Sequence, residues 1–176
     1  MEAREAVLQA ILQRKSIRRY TEEPVSDETL HMLLRCAMSG PSCVNARDWS
    51  FITVRDRAML NRMADANGRP AEPLRGAALG ILVCGDLDRA FPGAKDYWVI
   101  DGAIACQNLA LAAEGLGLGC VWLGTWPQTD RVEKQRQLFG LPEHIVPHSI
   151  LAFGYPAEDP PVKPDFEENC VHYERW

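Results

Sequence analysis

The sequence predicts one domain that combines helices and strands, and three observations point to it. Its 176 residues amount to one domain at ~100–200 residues each, long enough to enclose a real core. Apolar residues make up 47% and charged residues 24%, near the averages of soluble globular chains, which excludes wholesale disorder, collagen-like repeats and mini-protein scaffolds. Along the chain, apolar residues at helical spacing give way to short β-branched or aromatic runs, without internal repeats or low-complexity stretches.

The elements follow in order. Glu2 to Gln13 sets Val7, Leu8, Ile11 and Leu12 on one helical stripe. Ser26, followed by Asp27 and Glu28, has the hydroxyl and first-turn charges of a helix start, and this second helix runs towards Ser39 until Gly40-Pro41 stops it. Trp49 to Val54 reads as a strand, Asp56 to Asn67 as a helix ended by Gly68, and Ala77 to Cys84 as a strand apolar on both faces. Asp101 to Glu114 is a helix too apolar all round for a surface, so it belongs in the core or in a subunit interface. Cys120 to Leu123, Asp130 to Phe139 and Ser149 to Phe153 complete the pattern as strand, helix and strand. The tail, Tyr155 to Trp176, is rich in proline and charge yet ends in aromatics, which favours a segment laid across another surface.

Several function classes fall away. With 19 Lys+Arg against 24 Asp+Glu the formal charge is −5, so no global basic field exists for nucleic acid or anionic lipid. The longest apolar run falls well short of the ~20 residues of a membrane span, and the start of the chain lacks a presequence pattern; a cytoplasmic protein is expected. Six scattered cysteines read as reduced, buried thiols rather than a disulfide or zinc framework. The glycines Gly115-Leu-Gly-Leu-Gly119 follow a helix and precede a strand, the reverse of a dinucleotide loop, and so read as a helix end. His144 and His148 are separated by Pro147 and lack the glutamate of a zinc peptidase, so no metal site is expected. Ser42 and Cys43 have no base nearby in sequence and are more simply loop residues than nucleophiles.

Two segments carry more specific chemistry. Arg14-Lys15-Ser16-Ile17-Arg18 gathers guanidinium forks, a point charge and a hydroxyl in one turn, a set that suits a phosphate as well as it suits a solvated charged turn. Gly40 to Trp49 places short polar side chains beside a large aromatic, as expected for recognising the edge of a planar heterocycle.

With two later runs, these segments resemble the FMN-dependent nitroreductases. That family typically shows R-R-S-I-R-x-[FY], then P-S-[SA]-x-N-x-Q-P-W, then an apolar helix with Q-N-L-x-L-A-A leading into G-L-G-x-x-W-[IL]-G. Here stand Arg14 to Tyr20, Pro41-Ser-Cys-Val-Asn-Ala-Arg-Asp-Trp49, Gln107 to Ala113 and Gly117 to Gly124, in the same order. Gln-Pro of the second pattern is replaced by Arg47-Asp48, and the tail lacks the usual arginine before Phe166.

The resemblance implies an α+β fold over residues 1–176, with a mixed sheet flanked by helices, in a homodimer whose tails (155–176) cross to the partner. It implies FMN at the dimer interface. Arg14, Lys15, Ser16 and Arg18 would hold phosphate and ribityl groups, with Lys163 as a further phosphate ligand. Pro41, Ser42, Cys43 and Asn45 of the other subunit would meet the ring, and Leu123 and Gly124 would present backbone near its N5. It further implies hydride transfer from NADH or NADPH and two-electron reduction of a small acceptor such as a nitroaromatic or quinone, in ping-pong fashion with no obligatory acid–base side chain. A narrower flavin enzyme, such as a reductive dehalogenase, and a flavin carrier without turnover remain open alternatives. The short stretch from Asn67 to Tyr97, where relatives often carry a lid, predicts an open site.

Overall fold

The computed structural model describes residues 3–162 and 166–176. Helix α1 (Ala3–Gln13) ends just before the cation run. Helix α2 (Asp27–Ala37) starts where the sequence places it: Ser26 Oγ accepts the Thr29 N–H at 3.1 Å, and Asp27 and Glu28 sit in the positive first turn. Strand β1 (Trp49–Val54) follows a 3-10 turn at Cys43–Asn45. Helix α3 (Arg57–Asn67) is capped by Asp56, whose carboxylate accepts the Met59 N–H at 2.8 Å, and it ends at Gly68 with φ of 79°. A 3-10 segment, Arg69–Arg75, leads into β2 (Leu79–Asp86). Helix α4 (Tyr97–Gly115), β3 (Gly119–Gly124), α5 (Thr129–Phe139) and β4 (Ile145–Gly154) complete the core.

The strands form one sheet in the order β1-β2-β4-β3, antiparallel at every pair. The parallel component of the expected mixed sheet is reduced, among the described residues, to the bridge between Ser16 and Cys120 at the β3 edge. Side chains alternate across the sheet with the period of two that a pleat imposes. Ile81, Val83, Leu151 and Phe153 face α2 and α4, where Leu33, Leu109 and Ala113 cover them. Leu82, Ile150 and Ala152 face the opposite layer of α3 and the 3-10 segment, built from Leu60, Met63 and Leu74. Helices thus cover both faces of the sheet.

β2 is displaced by two residues from the predicted Ala77 to Cys84, and two further boundaries move by four. α4 begins at Tyr97 rather than Asp101, so Asp101 lies in its second turn and is buried. β4 begins at Ile145 and passes through Pro147, where the pairing with β2 shifts register between Val83 and Cys84; the irregularity accommodates a residue that cannot donate to the ladder. The glycine run ends α4 as expected: Gly117 has φ of 72°, and the Leu118 N–H reaches the Ala113 carbonyl at 2.8 Å.

Apolar surface remains uncovered on α1 and in the tail, among other places. The α1 stripe of Val7, Leu8, Ile11 and Leu12 is 48–61% exposed, and a groove of about 310 Å3 runs between α1 and the α2–α4 pair. In the tail, Phe166, Tyr173 and Trp176 are also exposed, Trp176 at 98%. No helix among the described residues is long and apolar enough to cross a membrane.

Candidate functional site

The cation run lies along the free edge of β3. Ser16 bridges Cys120, and the Ile17 N–H donates to the Cys120 carbonyl at 2.9 Å. Further along, the Tyr20 hydroxyl donates to the carbonyls of Ile17 (2.6 Å) and Ala152 (3.1 Å), and the Ala157 N–H returns to the Arg19 carbonyl at 2.9 Å. Two glycines make this approach possible. A Cβ at Gly119 would stand 2.6 Å from Ile17 Cγ2, and one at Gly154 would stand 2.8 Å from Tyr20 Cβ.

The four predicted phosphate-side residues are therefore held on a fixed backbone. The Arg14 guanidinium and Ser16 hydroxyl have no hydrogen-bond partner among the described residues, whereas Lys15 pairs with Asp159 and Arg18 reaches the Ser16 carbonyl at 3.3 Å. The neighbouring Glu158 behaves as an anion in this cationic turn. Its carboxylate accepts the backbone N–H groups of Arg18 (2.6 Å) and Arg19 (3.2 Å) and the Arg19 Nε–H (3.0 Å), bonds that hold it below the usual carboxylate range. A cleft of about 140 Å3 opens among Lys15, Ser16, Arg18 and Pro160-Pro161. This donor set fits a phosphate: the Arg18 guanidinium, the Lys15 ammonium and the free Ser16 hydroxyl line one small space, with Arg14 in the same turn, and the turn already draws the carboxylates of Glu158 and Asp159. Lys163, expected on the same phosphate, lies outside the described residues.

Arg18 also lines a larger cleft, about 510 Å3, together with Arg69, Pro70, Glu72 and Pro73. Sequence reading passed over Arg69. Its position one residue after a helix-ending glycine was visible, but nothing in the sequence tied it to Arg18.

The second predicted segment lies at the other edge of the sheet. The loop leading into β1 carries three non-glycine residues in left-handed conformation, Val44 (φ 46°), Asn45 (φ 59°) and Arg47 (φ 53°), a strained arrangement that needs outside support. Ser42 Oγ accepts the Arg47 N–H at 3.0 Å, and both oxygens of Asp101 accept the Cys43 N–H at 3.0 Å. Pro41 and Asn45 are exposed, Ser42 and Cys43 half-buried, and Val44 stands 71% in solvent. Asp101 is the supporting residue that sequence reading missed, although a carboxylate so early in so apolar a helix was its signal.

Neither Ser42 nor Cys43 is set up as a nucleophile. Ser42 caps the loop, while burial and the carboxylates of Asp101 and Asp48 push the Cys43 thiol up, away from thiolate. All six cysteines are free, but only Cys84, Cys106 and Cys120 are buried; burial pushes Cys84 and Cys120 up to about 12. Cys36 and Cys43 are half-buried and Cys170 is exposed, so the expectation of buried thiols holds for half of them. His148 is buried, its Nε2 donating to the Val99 carbonyl at 2.9 Å and its Nδ1 3.9 Å from Cys106 Sγ, while His144 stands 3.7 Å from Asp88. Desolvation lowers His148 and keeps its ring neutral.

Leu123 and Gly124 end β3, with Leu123 buried and Gly124 exposed. The Gly124 carbonyl already accepts Asn67 Nδ2 (3.2 Å) and Arg131 Nη1 (2.9 Å). What Gly124 offers a ligand is room, since a Cβ there would meet nothing within 4 Å.

Comparison with known proteins adds to this geometry. The Nitroreductase family pattern matches residues 11–79 and 66–155. A Methanothermobacter thermautotrophicus protein named for NADH dehydrogenase or NAD(P)H nitroreductase activity is 44% identical over 171 residues, covering 97% of this chain and 87% of the relative. A crystal structure from Bacteroides thetaiotaomicron with the same name superposes with a TM-score of 0.90 at 42% identity, covering 97% of this chain and 98% of that one. A Desulfovibrio desulfuricans structure described as a nitroreductase in complex with FMN superposes with a TM-score of 0.82 at 32% identity, covering 97% of each chain. The cation run against β3, the strained loop before β1 and the match over nearly the whole chain agree: this chain belongs to the nitroreductase family.

Proposed function

We propose that the chain is an FMN-dependent NAD(P)H oxidoreductase that reduces small electron acceptors such as nitroaromatics or quinones. The observation that carries the reading is the cationic turn, where Arg14 and Ser16 keep unpartnered donors beside Lys15 and Arg18 on a backbone fixed to β3. FMN supplies two-electron chemistry between the nicotinamide donor and the acceptor. The chain's own work is to bind and orient. Arg14, Lys15, Ser16 and Arg18, with Lys163, hold the phosphate and ribityl end. Arg18 and Arg69, facing one cleft, place positive charge beside the ring, where it stabilises negative charge gained on reduction.

The working unit is a homodimer. Within one chain the cation run borders β3 and the loop at 41–48 leads into β1, three strand spacings of ~4.8 Å or about 14 Å apart at the least. A second copy is needed to bring Pro41, Ser42, Cys43 and Asn45 against the cation run, and an isologous pair forms two equal sites. The bare α1 stripe and the exposed tail aromatics supply apolar surface for that contact. Six free cysteines suit a reducing cytoplasm.

Anaerobic titration tests the reading directly. The FMN-loaded protein is expected to lose its yellow absorbance with NADH or NADPH and regain it on addition of a nitroaromatic or quinone. Yellow protein that neither donor bleaches would make it a flavin carrier instead; bleached protein that neither acceptor restores would point to a narrower enzyme.

A further inference from the structure

Two buried carboxyls stand behind the loop that leads into β1. Asp48, in the position just before β1, is 1% exposed, and neither of its carboxylate oxygens has a hydrogen-bond donor. Asp101, 2% exposed in the second turn of α4, is its neighbour, and both Asp101 oxygens accept the Cys43 N–H at 3.0 Å. An ionised pair in such a place is unfavourable. Two carboxylates in contact repel each other, and a buried charge without a donor bears its whole desolvation cost.

The surrounding groups do not relieve this. From the loop comes the Cys43 thiol, which is neutral. From the segment after β2 comes Arg89, whose attraction is the weakest influence on Asp48. Arg47 turns away, its guanidinium 5.4 Å from the centre of the Trp49 ring. On α4 the next residue, Gly102, faces the neutral His148 ring.

We infer that Asp48 and Asp101 share a single proton, and that this shared proton latches the strained loop Ser42–Arg47 in place, making Asp48 a positioning residue for the ring-edge side of the site. With Asp48 protonated, its O–H donates to Asp101, which keeps hold of the Cys43 N–H. When the proton leaves, a second negative charge stands against Asp101 and the anchor of three left-handed residues is weakened. Burial and the Asp101 charge push the Asp48 carboxyl up to about 6, so the change falls on the approach to neutral pH. The unfolded chain releases this proton near 3.8. Because the folded form binds it more tightly, its contribution to stability is complete below that value, declines as pH rises towards about 6, and is flat above.

The effect on ligand binding rests on the FMN reading above; the shared proton itself does not. Asp48→Asn supplies an amide that donates to Asp101 at every pH. Melting of the FMN-free protein and FMN dissociation constants are measured for wild type and variant between pH 4 and 8. The variant is expected to gain on the wild type by at least ~4 °C in melting temperature from the acid end to pH 7. Wild-type FMN affinity is expected to fall several-fold over the same range while the variant's stays level. Parallel profiles for the two proteins in both measurements would overturn the latch. Diverging melting profiles in a protein that binds no FMN would uphold the shared proton and remove the FMN reading instead. Carbon NMR of the wild-type carboxyl groups gives a check that needs no variant: one aspartate resonance should titrate near pH 6, and its absence above pH 5 would overturn the proposal.

Discussion

The turn at residues 14–19 and the loop at 42–48 are both polar, yet they hold charge in opposite settings. The turn keeps its cations near water and shares them with Glu158 and Asp159 of the tail. The loop wraps its backbone around a carboxylate enclosed by α4. The difference separates binding from shape. An ion pair at the surface is worth about 0–1 kcal/mol and can be exchanged for a ligand of the same charge. A buried carboxylate that satisfies an N–H of a strained loop cannot be exchanged, because its loss leaves that N–H orphaned at a cost of about 1–3 kcal/mol.

The sharpest way to break this contrast is Asp101→Leu. It removes the acceptor for the Cys43 N–H and the partner of Asp48, and is expected to cost about 3 kcal/mol in denaturant unfolding. A loss below ~1 kcal/mol would mean that the loop holds itself. Arg14→Ala tests the turn as a binding element: FMN affinity is expected to weaken by ~1.5–3 kcal/mol, with little change in stability and almost none in riboflavin affinity. Equal losses for the two flavins would remove the phosphate assignment.

Gly119→Ala asks whether the turn depends on its seat at the β3 edge. The new Cβ would press on Ile17 Cγ2 and Cβ at 2.6 and 2.7 Å, so a stability loss of ~1–3 kcal/mol is expected, with weaker FMN binding following from the displaced cations. Unchanged FMN binding in a destabilised protein would show that the cations do not rely on that seat. The smallest effect is predicted for Asp159→Asn, which frees Lys15 at the surface. FMN binding should tighten by less than ~1 kcal/mol, more visibly at low salt. Weaker binding would make Asp159 part of the site rather than a competitor.

Much of the fold was legible because its signals are local. Trp49–Val54 is a strand as its aromatic and β-branched run predicts, and Ser26 and Asp56 cap the helices they precede. Signals with a tertiary answer were misread. Asp101 looked like the opening residue of a helix, since acidic residues favour first turns, but its charge is answered by an N–H fifty-eight residues away in sequence. The last strand was expected only from Ser149, yet a register shift in the pairing lets β4 start at Ile145 and run through Pro147. The candidate site divides likewise. Clustered cations in one turn are visible in any sequence, whereas Arg69 beside Arg18, Glu158 on the Arg18 N–H and Asp48 against Asp101 exist only once the chain is folded.

The seat of the cation run has one more consequence. By lying against Cys120, Ser16 and Ile17 occupy backbone at the start of that border strand, so the sheet has a partly closed side and an open one. Among the described residues no strand adds to β1 opposite β2. An unpaired border is where a sheet recruits further chain, in correct assembly and in aggregation alike. Growth of this sheet is therefore biased: the whole length of Trp49–Val54 is open to added chain, and whatever segment docks there in the assembled protein also shields it from self-association during folding.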